Sequence, residues 1–168
     1  MAVSNINEEI ILTPEQKKKF DEDFEVTADM QKTCGQIIFG IIEKKGLKSK
    51  RKTKFGIDVN KVAELTGLNT NTIYHLNDPD CRLDKSNVVS FCMGLELDVH
   101  ATAYILAANG MVFNTNNRID KAYVHLIENY KGRDIADCNA ILRDLGITEK
   151  RHFLGSKERG EYNTSNEE

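Results

Sequence analysis

Thr70, Asn71, Tyr74 and His75 recur at helical spacing in the stretch VAELTGLNTNTIYHLND, so one side of a short helix carries all four. Each ends in a hydrogen-bonding group and none carries a fixed charge. Asn pairs with an adenine edge, Thr bonds a base or touches a thymine methyl, and Tyr or His reaches bases or phosphates. The edge therefore suits the major groove of a duplex. Because an uncharged edge draws little affinity from phosphates, a cationic element must lie elsewhere.

The run KKGLKSKRKTKFG is that element, with seven basic residues from Lys44 to Lys54 and no acid. Lys44, Lys45, Lys48, Lys50, Arg51, Lys52 and Lys54 are the expected phosphate contacts, on an exposed loop without apolar period. The net charge of -3 conceals this segregation of sign. Residues 1 to 30 carry three basic and eight acidic side chains, and residues 31 to 54 carry eight basic and one acidic. Local potential, more than net charge, decides where a phosphate backbone docks.

The elements that position these groups read as helices throughout. In TPEQ, Thr13 is an N-cap, Pro14 the first helical residue and Gln16 the partner of a capping box, which predicts a short helix from about 14 to 24. Thr27 is read as the cap of a longer helix whose apolar residues, Met30, Cys34, Ile37, Ile38, Ile41 and Ile42, run to Gly46. Asp58 caps a helix to about Thr66, Gly67 turns the chain, and a further helix runs from Asn69 or Thr70 to Asn77, ended by Pro79. Val88, Val89, Phe91, Cys92 and Leu95 outline another helix, and Ala101, Tyr104, Ile105 and Ala108 the next, ending at Gly110. Beyond the turn NTNN, Ile119 to Tyr130 keeps helical spacing, and Asp134 recaps a partner helix ending near Gly146, a helical hairpin.

Ala63, Gly67 and Ile73 supply what a helix-turn-helix needs: a small residue for close crossing, a residue tolerating positive φ, and a branched apolar residue between the helices. Val62, Leu68 and Leu76 fill the other inward positions. Here the sequence resembles the Xre-type, lambda-repressor-like helix-turn-helix regulators. The matching residues are VAELTGLNTNTIYHLN, then LDKSNVVSFCMGLELD as a fourth helix, then YILAANG as a short fifth, within about Gln31 to Gly110. The resemblance implies that Thr70, Asn71, Tyr74 and His75 face bases, with Asn69 and Thr72 near the backbone. This chain has Val59 where the family often has a phosphate-contacting Gln, Asn77 where it often has an acid, and a long basic insertion between the first two helices. The insertion is expected to replace the phosphate contacts missing at Val59.

The fold expected is all-α, a lambda-repressor-like bundle of about five helices with a short N-terminal helix and a C-terminal hairpin. The expected boundaries are an N-terminal tail with its helix at 1–26, a DNA-binding domain at 27–112, the hairpin at 113–154 and a disordered tail at 155–168. Double-stranded DNA is the expected partner, bound by a homodimer; the hairpin is expected to pair two subunits, with packing on the DNA-binding core as the alternative. A protein-interaction regulator on the same fold, antirepressor-like or antitoxin-like, is the alternative.

Catalysis, cofactors and metal are not expected. Cys34, Cys81, Cys92 and Cys138 form no C-x-x-C pair and read as small core hydrophobes, and His75, His100, His125 and His152 lack metal spacing. GQIIFG from Gly35 imitates the start of a phosphate loop, but Ile41 and Ile42 stand where Lys and Ser or Thr are required. No apolar run is long enough for a membrane and no secretory signal opens the chain, which is expected to stay in the cytoplasm.

Overall fold

The computed structural model describes residues 11–30, 32–49 and 56–160, and every regular element among them is helical. The chain divides into two compact units, one ending at Gln31 and the other beginning at Lys32.

The first unit contains α1 (Pro14–Met30). Its start is the expected capping box: Thr13 N–H donates to Gln16 Oε1 at 2.9 Å and Gln16 N–H to Thr13 Oγ1 at 3.2 Å. The helix does not stop near residue 24, since neither Gly nor a second Pro interrupts it, and it carries Thr27 within a 17-residue run. Thr27 is therefore not a cap. The side chains of residues 24–30, Phe24 and Met30 included, lie outside the described ones. The next helix is capped by Thr33, which forms its own reciprocal box with Gln36 at 3.2 and 3.0 Å. The boundary expected at residue 27 accordingly falls between Gln31 and Lys32.

In the second unit α2 (Cys34–Lys44), α3 (Val59–Thr66), α4 (Thr70–Tyr74), α5 (Lys85–Gly94) and α6 (Val99–Ala108) enclose one core, with Ile38, Ile42, Val62, Ile73, Phe91 and Leu106 fully buried. α7 (Arg118–Asn129) and α8 (Ile135–Asp144) form the hairpin, capped by Asp134 as its sequence implies, around a second core of Tyr123, Leu126, Ile127, Cys138 and Leu142. α5 belongs to both cores. Val88, Phe91 and Cys92 pack into the first, Val89 and Met93 into the second, so this helix is apolar all round where an edge helix would be apolar on one stripe. Lys85 at its start joins the two halves: Nζ donates to Asp120 Oδ2 at 2.9 Å and to the Val112 carbonyl at 2.9 Å. α6 differs from its expected outline. Thr102, Ile105 and Leu106 face inward, leaving Tyr104 69% exposed and Ala108 exposed.

Gly35 has a packing role inside α2: a Cβ there would collide with the Leu76 carbonyl oxygen and lie 2.7 Å from Cys81 Sγ. All four cysteines are free thiols. Burial raises each thiol, Cys81 and Cys138 to about 11 and Cys92 to about 12. The thiolate is the reactive form, so all four should resist a disulfide reagent at pH 8 in the native protein and react at once in denaturant. Rapid native modification would contradict this assignment to the core.

Candidate nucleic-acid interface

α3 opens on Asp58, whose Oδ1 accepts from Lys61 N–H at 3.1 Å. It closes at Gly67, whose φ of +67° turns the chain and whose N–H donates to the Ala63 carbonyl at 2.8 Å. Ala63 is half-buried against the core, and Val59 is only 8% exposed, a packing residue at the helix start. Asn69 then caps α4, its Oδ1 accepting from Asn71 N–H at 2.9 Å.

α4 is shorter than its sequence suggests. The helix expected to Asn77 ends at Tyr74, and Leu76 N–H returns to the Ile73 carbonyl at 3.2 Å, an i to i+3 bond that tightens the last turn. Asp78 holds that turn through His75 Nδ1, 2.7 Å from its Oδ2, and through its own N–H to the His75 carbonyl at 3.1 Å. Ile73 and Leu76 are fully buried beneath it. On the other side Asn71 and His75 are exposed and Tyr74 is 44% exposed, while Thr70, Thr72 and Asn69 are half-buried. The imidazole of His75 is thus already engaged by a carboxylate of its own loop.

Of the lysine-rich run, Lys44, Lys45 and Lys48 are exposed, and Lys50, Arg51, Lys52 and Lys54 lie outside the described residues. The root of the run is closed by an antiparallel bridge between Lys48 and Ile57, by Ser49 N–H on the Gly56 carbonyl at 3.2 Å, and by Asp58 N–H on the Leu47 carbonyl at 2.8 Å. Its two ends are therefore tied together at the start of α3.

A further part of this region was missed in the sequence. Residues 155–160, expected within a disordered tail, continue a strap from Phe153 that crosses the α3–α4 turn. Phe153 and Leu154 are buried in the hairpin core. Asn139 fixes the Leu154 backbone twice, accepting its N–H at 2.7 Å and donating to its carbonyl at 2.8 Å. Gly155 N–H donates to Ser90 Oγ at 2.9 Å, Ser156 N–H to the Gly67 carbonyl at 2.8 Å, and Asn69 N–H to Ser156 Oγ at 2.8 Å. Arg159 closes the strap, donating to the Gly155 carbonyl at 2.8 Å, Ser86 Oγ at 3.0 Å and Asn87 Oδ1 at 2.5 Å. The available signal was the apolar pair Phe153–Leu154 before a glycine, too short for a periodicity to register.

Gly155 sits at φ +73°, and a Cβ on it would lie 3.0 Å from the Gly67 carbonyl oxygen and 3.1 Å from Ile135 Cγ2. Gly155→Ala combines a left-handed backbone with that crowding and should cost about 1–3 kcal/mol in urea unfolding. An unchanged midpoint would show that the strap contributes nothing to stability.

Among the described residues no three His, Cys, Asp or Glu side chains converge as metal ligands, and no helix is long and apolar enough to cross a membrane. No family model matches this sequence, and neither a curated protein nor a solved structure matches it.

Proposed function

We propose that this chain is a sequence-specific DNA-binding transcriptional regulator of the Xre type, a repressor that occupies a promoter with α4 in the major groove. The observation that carries this reading is the two-sidedness of α4. Ile73 and Leu76 anchor it in the core while Asn71, Tyr74 and His75 stand exposed on the opposite side, behind a left-handed turn at Gly67. In this reading Asn71 and Thr70 take base edges, Tyr74 and His75 take bases or phosphates, and Asn69 and Thr72 lie near the sugar-phosphate backbone. The lysine-rich run, rooted at the start of α3, neutralises phosphates.

Two copies bind together in this account, because groove readers of this size gain affinity from paired half-sites. The face of α6 formed by Ala103, Tyr104, Ala107 and Ala108 is exposed and uncharged, which supports self-association there. The protein works in the cytoplasm, without catalysis or a cofactor. The same exposed Tyr104 favours a second reading, a regulator on this fold that captures a protein partner.

Selection from random duplexes separates the two. The DNA reading expects an enriched sequence with two half-sites a helical turn or so apart, bound less tightly as salt rises, and Asn71→Ala should lose about 1–3 kcal/mol of discrimination at one base position. Joint replacement of Lys50, Arg51 and Lys52 should flatten the salt dependence. No enrichment, together with salt-insensitive capture of a protein, would overturn it.

A further inference from the structure

We infer that the strap is itself part of the nucleic-acid interface, with Lys157 a phosphate contact and Ser156 the residue that positions it. This rests on the DNA-binding reading and adds to it a contact from the far end of the chain.

The reading edge of α4 carries no cation, Val59 at the start of α3 is a buried hydrocarbon, and the one cation of α3, Lys61, already faces Glu64 Oε2 at 3.4 Å, so a further charged partner for phosphate has to come from outside the two helices. Ser156 is 4% exposed and bonded on both sides of the turn, by its N–H to the Gly67 carbonyl and by its Oγ from Asn69 N–H. Asn69 is the cap of α4. The next Cα along the strap is about 3.8 Å on. Lys157 thus leaves the protein one residue from the group that closes the N-terminus of the reading helix.

Two features separate Lys157 from its neighbours on the strap. Arg159 is spent on Gly155, Ser86 and Asn87, and Glu158 is paired with Arg143 at 2.5 Å, so the adjacent acid is neutralised. Lys157 is exposed, and its ammonium makes no hydrogen bond or ion pair among the described residues. The buried Ser156 fixes the backbone beside Lys157, and the exposed lysine side chain has the reach and the charge to meet a phosphate oxygen. It adds affinity without sequence information.

The test uses the full chain and the duplex that it selects. Lys157→Gln should lower the magnitude of the slope of log K against log salt by about 0.9 and weaken binding about 3- to 10-fold at moderate salt, with the selected sequence unchanged. Lys157→Arg should keep the slope, as should Lys121→Gln on the exposed side of α7. Since the Lys157 ammonium has no partner among the described residues, the urea midpoint of Lys157→Gln should match the parent. An unaltered slope, an equal loss in Lys121→Gln, or tighter binding by Lys157→Gln would overturn the inference while leaving the α4 reading intact. If the parent chain selects no duplex, the DNA reading itself fails, and this contact falls with it.

Discussion

Two backbones cross at Gly67 and Gly155, and the rest of the second unit is arranged around that crossing. Both residues have positive φ, and an added Cβ on either would press on Ile135 and on the other strand of the crossing. Contact this close buries Leu68, Gly155 and Ser156, so the polar groups along the crossing gain from partners within the protein. Ser156 supplies two of them, and Ser90 supplies a third while donating its own hydroxyl to the Ser86 carbonyl at 2.7 Å. Each leftover donor or acceptor would otherwise cost about 1–3 kcal/mol.

From that crossing the roles of the other elements follow. The α7–α8 hairpin holds the strap, through Asn139 on the Leu154 backbone and through Tyr123, whose hydroxyl donates to the His152 carbonyl at 2.6 Å. Burial raises the Tyr123 phenol above its usual range, which favours the protonated, donating form. α5 lies between the two cores and carries both Ser90, which receives the strap, and Lys85, which clasps Asp120. Asp120 is 5% exposed, and its carboxylate also accepts Asn114 N–H at 2.7 Å. Removing one partner from such a buried pair is more damaging than the pair is stabilising. The hairpin thereby acts on the α3–α4 turn from below, a structural role independent of any part it plays in pairing subunits.

Much of this was legible in the sequence because the signals are local. The Thr13–Gln16 box, the caps at Asp58 and Asp134, the left-handed Gly67 and the buried Ile73 depend on residues within a turn or two of one another. The structure departs from what the sequence suggests where a local rule admits two outcomes. Thr27 and Thr33 are both acceptable caps by type, and only Thr33 has a glutamine three residues on to close a box. Tyr104 and Ile105 both fit an apolar helix, and which one faces inward is set by the helices it meets. The strap was illegible for a stronger reason. Its fixed geometry comes from partners at Gly67, Asn69, Ser86, Ser90 and Asn139, and no periodicity within Phe153–Arg159 encodes them.

Amide chemical-shift mapping of the labelled chain, titrated with a duplex it has selected, tests the central claim most directly. The largest changes, in slow exchange, are expected at Asn69 to His75 and on the strap near Ser156 and Lys157, with α7 and α8 little affected. Changes concentrated on the outer face of α6, with the amides of α4 unmoved, would contradict it.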